Sequence, residues 1–209
     1  MKPTRETCES RVAVAKDALL QLRRQDVPFN VMPSQYFKWQ VDLSIPPGDD
    51  LREHVDAVQK NCRVCALGAL LLSYSRLHDG VVPMASLFPQ DYNRRREHYV
   101  DGACETSLHR VTIGLLLRPL FDDRTTTDID RFFEGRSYAF INPEGWAKYL
   151  AEVDGEFTGF DQELAEITGD FASMRTVGAS RMKAICENIV ANDGEFLIPF
   201  QYRKHTPCG

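Results

Sequence analysis

The sequence lacks the marks of a membrane protein, of an exported protein and of the common catalytic folds. Its longest apolar run, Val64 to Leu72, is interrupted by Gly68 and reaches only about half of the ~20 residues that a membrane span requires. The opening Met1-Lys2-Pro3-Thr4-Arg5-Glu6 contains no apolar signal-peptide core, which points to a cytoplasmic protein. There is no nucleophile elbow, no Gly-rich phosphate loop and no His-Glu-x-x-His helix, so the enzyme classes built on those motifs have no foothold. A net charge of -5 is too mild for a strongly basic nucleic-acid binder or for an acidic mimic. Internal repeats, low-complexity tracts and linkers are also missing.

What is present is ordinary for a globular chain. The 209 residues are 43% hydrophobic and 26% charged, enough for one domain with a sizeable core. The expectation is a mainly α, single compact helical domain over 1–209, with at most one or two short strands and a loose tail at 203–209. Six cysteines (8, 62, 65, 104, 186 and 208) could form three disulfides. However, the chain is not small, and three of them fall inside apolar helical patterns, so reduced thiols are expected.

The apolar centre is Asn61–Leu77, read as one helix. Cys62, Cys65, Ala66, Ala69, Leu70, Ser73 and Leu77 make one stripe, and Leu67, Leu71, Leu72 and Tyr74 cover most of the remainder. A helix that is apolar nearly all round is buried on several sides. Asn61 is placed to cap it. Upstream, 7–24 reads as an amphipathic helix with Val12, Ala15, Leu19 and Leu22 inward, and with Arg11, Lys16, Asp17, Arg23 and Arg24 toward water. Thr4 or Thr7 can cap it. Alternation from Tyr36 to Leu43 suggests a strand. Asp50 and Glu53 then resemble a capping box for a helix through Leu51, Val55 and Val58.

Downstream, Pro83 opens a short helix through Leu87, and 91–106 reads as a polar loop. Helices follow at 107–117 (Leu108, Val111 and Leu115), around Asp128–Phe133, after Pro143, at Phe160–Ile167 and at Ser180–Asn192. The stretch 119–170 holds 13 acidic residues against 4 basic ones, a local balance of -9 that leaves the remainder near +4. Such a stretch suits a basic partner, or is simply a solvated acidic surface. Calcium-loop spacing fails, because the twelfth position counted from Asp154 is Ala165.

Two constellations could carry chemistry. Cys62 and Cys65 form a Cys-x-x-Cys pair, which can serve as a redox pair or supply two zinc ligands. Zinc would need completion from Cys104, Cys186, His78, His98 or His109, and no strand-then-helix unit of the thioredoxin kind is evident ahead of the pair. Small residues beside the thiols (Ala66, Gly68 and Ala69) fit close helix packing instead. The second constellation is Arg94-Arg95-Arg96 with His98 and Tyr99. Guanidinium forks suit phosphates and an aromatic ring can stack on a base, although Asp91, Glu97 and Asp101 flank the run.

Three pieces occur in order along the chain: Ala15-Lys16-Asp17-Ala18-Leu19, Cys62-Arg63-Val64-Cys65-Ala66-Leu67-Gly68-Ala69-Leu70, and Arg181-Met182 through Glu187-Asn188-Ile189 to Gly194-Glu195-Phe196. Together they resemble a group of uncharacterised phage and mobile-element proteins with a Cys-x-Val-Cys-Ala-x-Gly-Ala helix. The segments 32–47 and 135–159 look long for that group. No activity comes with the resemblance. It implies a context, that of a phage or mobile-element accessory protein in a bacterial host cell; with the missing catalytic motifs and the charge asymmetry, an inhibitor or anti-defence type is expected. Such a protein is expected to be non-catalytic, binding a host protein or other macromolecule or sequestering a small-molecule ligand. The alternatives are a metal- or nucleotide-binding protein built on Cys62, Cys65 and the Arg94–Arg96 loop, and a nucleic-acid-binding protein. No cofactor is required, zinc being the metal that the thiols would take, and the oligomeric state is left open.

Overall fold

The first helix, α1 (Arg5–Arg23), is held at its start by Thr4, whose hydroxyl accepts the Thr7 N–H. Its inward face is Arg11, Val14, Ala15, Ala18 and Gln21, about one position away from the face suggested by Val12, Ala15, Leu19 and Leu22. The small Ala15 and Ala18 let the neighbouring helices approach, while Leu20 points outward. Arg11 and Asp17, expected in water, are respectively buried and half-buried. This computed structural model describes residues 3–26, 28–33, 37–40, 45–46, 48–80, 82–87, 105–108, 110–134 and 171–197. The helices expected after Pro143 and at Phe160–Ile167, the tail 203–209 and most of the acidic stretch lie outside them.

A three-stranded antiparallel sheet, one strand more than expected, has the order β2-β1-β3. Strand β1 (Phe37–Gln40) lies in the middle, with Phe37 and Trp39 on its buried face. Strand β2 (Cys62–Val64) places Cys62 opposite Trp39 and Val64 opposite Phe37. The period of two in Cys-Arg-Val matches a half-buried strand. These residues therefore belong to the sheet and not to the helix that follows. Strand β3 (Glu105–Ser107) falls in a stretch expected to be loop and at the start of an expected helix. Polar Glu-Thr-Ser has no apolar alternation to betray an edge strand.

Helix α2 (Leu51–Lys60) follows its sequence signal: Asp50 caps it by accepting the Arg52 N–H at 2.8 Å, and Leu51, Val55 and Val58 are buried. Asn61 closes α2, where it was expected to open the next helix. That helix, α3 (Ala66–Leu77), has Cys65 at its N-cap, and its residues from Ala66 through Ser75 are buried. Helices α1 and α2 pack on it, with β2 leading into it. Arg76 ties the bundle together, its guanidinium meeting Asp17 of α1 and Asp56 and Gln59 of α2. A 3-10 turn, Met84–Leu87, follows.

Helix α4 (Arg110–Leu117) buries Ile113 and Leu117 but leaves Val111 and Leu115 outward, 67% and 58% exposed, the reverse of the face the sequence suggests. The apolar residues there are so dense that periodicity does not select a side. Helix α5 (Asp123–Glu134) opens on Asp122, whose carboxylate accepts the Thr125 N–H, and buries Ile129, Phe132 and Phe133. The last helix, α6 (Phe171–Ala191), starts well before Ser180. Gly178 sits inside it because the Val31–Met32 backbone passes where a Cβ would lie. The turn Asn192–Gly194 ends α6, with Asp193 and Gly194 at positive φ. Among the described residues a single buried core joins the six helices and the sheet. Among the described residues no helix is long and apolar enough to cross a membrane.

Candidate functional site

The paired cysteines sit at a strand-to-helix junction: Cys62 in β2, Cys65 at the start of α3. A helix N-terminus ordinarily stabilises a thiolate. Here burial dominates. It pushes the Cys62 thiol up to about 12. It also pushes Cys65 well above the usual thiol range, helped by the negative field of Glu134, against a weaker downward pull from amides at the start of α3. Cys186 is raised by burial as well. All three thiols are free and enclosed, with Cys62 Sγ donating to the Gln59 carbonyl at 3.5 Å. Near this junction α5 contributes two carboxylates one turn apart, Asp130 and Glu134, both buried. From α6, Arg181, only 1% exposed, donates to the Phe133 carbonyl at 2.7 Å. No single motif announced these polar groups, because they come from two helices far apart in the sequence.

Arg94, Arg95, Arg96, His98 and Tyr99 lie outside the described residues, as do Cys104 and His109. Among the described residues Cys62 and Cys65 belong to no group of three metal-ligating side chains. Such a group occurs instead at the start of α2, where Asp49, Glu53 and His54 bring their ligating atoms within 4.8 Å of one another. His54 Nε2 and Asp49 Oδ2 share a hydrogen bond of 2.7 Å. These side chains could hold a divalent cation, and the spacing of acid, acid and imidazole over one helical turn was readable in the sequence.

A cleft of about 540 Å³ opens where the first turns of α1 meet the turn between α4 and α5. Its lining includes Thr4, Thr7 and Arg11 from the α1 side and Arg118, Asp122 and Asp123 from the other. Arg11, 7% exposed, is fixed by two backbone carbonyls, Nε donating to Leu120 at 2.5 Å and Nη1 to Gly194 at 3.3 Å. Its guanidinium also lies 5.2 Å from the centre of the Phe121 ring. Nη2 has no hydrogen-bond partner among the described residues, and Arg11 is one of the residues that line the cleft. The Thr125 N–H holds the Asp122 carboxyl below its usual range, and the nearby Arg11 charge acts in the same direction. At the rim Arg118 and Asp123 face each other at 3.9 Å. No protein-family model matches the chain, and no curated protein or solved structure is detectably similar to it.

Proposed function

We propose that the protein is a non-catalytic binding protein that holds a small polar ligand in the cleft between α1 and the α4–α5 turn. The setting suggested by its motifs is that of a phage or mobile-element accessory protein that sequesters a ligand of the host cell. The observation that carries this is the almost wholly buried Arg11, whose charged side chain helps to line a cleft of about 540 Å³. That size falls within the ~300–1,000 Å³ typical of small-molecule sites, with a few convergent polar groups for orientation. The thiols support a non-catalytic role, since an enclosed protonated sulfur is a poor nucleophile and a poor metal ligand. Native mass spectrometry of the protein purified from bacterial cells tests it. A retained small molecule is expected, and it should disappear in an Arg118→Gln, Asp123→Asn variant that still folds. A retained species indifferent to both substitutions would place the site elsewhere.

A further inference from the structure

The lining of the cleft carries two guanidinium groups and two carboxylates, and their placement is not random. Arg11 is set deep, with its Nε and Nη1 consumed by the Leu120 and Gly194 carbonyls and Nη2 left over. Asp122 uses Oδ1 to cap α5 at Thr125, 2.7 Å away. Arg118 and Asp123, both exposed, stand 3.9 Å apart in a loose ion pair, so each can exchange its neighbour for a ligand group at little cost. A simple anion entering here meets Arg11 and Arg118 but also the Asp122 and Asp123 carboxylates. A simple cation meets the reverse. A molecule bearing both charges satisfies both sets, and the Thr4 and Thr7 hydroxyls, 2.8 Å apart, add neutral hydrogen-bonding capacity.

We infer that the ligand is a zwitterion of the amino-acid or short-peptide class. Its carboxylate is bound by the Arg11 Nη2 edge together with Arg118, and its ammonium by Asp123 and Asp122. It rests on the cleft being the ligand site. The volume has room for a short peptide and is far larger than an inorganic ion needs.

Isothermal titration with a panel of free amino acids and unmodified di- and tripeptides tests the class. Inorganic phosphate and a simple diamine serve as single-charge controls. At least one unmodified probe should bind, and blocking either terminus, by amidation or acetylation, should weaken it by about tenfold or more, as loss of a charge-assisted hydrogen bond does. Arg118→Gln should then weaken the free peptide but hardly change the C-amidated one. Asp123→Asn should do the same for the N-acetylated one. This pattern of non-additivity assigns each terminus to its partner. Thermal melts of the two variants confirm that they fold. Phosphate or doubly blocked peptides binding as tightly as free ones would overturn the zwitterion while leaving a binding cleft in place. No probe binding, and no retained molecule in the native spectrum, would overturn the ligand class and the cleft together.

Discussion

The start of α3 and the start of α1 make an instructive pair. The first carries the most conspicuous motif in the chain, Cys62-x-x-Cys65, yet both sulfurs are sealed and held protonated. The second carries no recognisable motif, yet it frames an open cleft lined by charged side chains. Residue identity names the chemistry a side chain can do, while solvent access and electrostatic surroundings decide whether it does it.

The contrast can be broken most sharply through reactivity. With its thiol pushed up to about 12, native Cys62 should alkylate at pH 8 more slowly than in denaturant. A shift from about 8.5 lowers the thiolate fraction by roughly a thousandfold. Cys65 and Cys186 should share the protection, and half-buried Cys8 should label first among these four, as read by mass mapping of iodoacetamide adducts. Rapid native labelling of Cys65 would make the junction an active site after all.

Packing gives the next largest effect. Leu70→Ala, in the sealed wall of α3, should cost about 3–5 kcal/mol in urea unfolding, whereas exposed Leu115→Ala in α4 should stay within about 0.5 kcal/mol. A large loss at Leu115 would mean that the outward face of α4 is covered in solution.

Arg11→Met should cost about 2–3 kcal/mol, because it leaves the Leu120 and Gly194 carbonyls without their charged donor. A smaller loss would show those carbonyls re-solvated through the cleft. The gentlest test is pH. Burial opposes ionisation of Asp56, but hydrogen bonds from Arg76 and Arg24 outweigh it and hold the carboxyl below its usual range. A depressed carboxyl contributes stability that is present above its unfolded value of about 3.9 and is lost as pH falls through the folded value. Asp56→Asn should therefore be less stable than wild type at neutral pH and show a shallower acid limb below about pH 4. Matching acid limbs would remove Asp56 from the network.

Much of the helical architecture was legible because local signals agreed with one another. Asp50 caps α2, Thr4 caps α1, and Leu51, Val55 and Val58 are inward, as their spacing indicates. What escaped was decided by tertiary contact. Cys62–Val64 is a strand because Phe37–Trp39 pairs with it, and without that partner the three residues merge into the apolar helix that follows. Helix α6 begins well before Ser180, and Gly178 sits within it because the chain at Val31 passes against it. Arg11 looked like a surface residue because the carbonyls that fix it are 109 and 183 positions away. The candidate cleft was invisible for the same reason. The Asp49, Glu53 and His54 group, by contrast, is local enough to be seen in advance.

The turn that closes α6 places Gly194 against the backbone of Cys8, where a Cβ would come within 2.5 Å of the Cys8 carbonyl oxygen. Helix α1 also finds its most extensive partner in α6. A ribosome adds only about 5–20 residues each second, so α1 can meet α3 early but waits many seconds for α6. The contact between α1 and α6 thus closes well after α1 has emerged. Until then the part of α1 that α6 covers is open to a chaperone or to a neighbouring nascent chain.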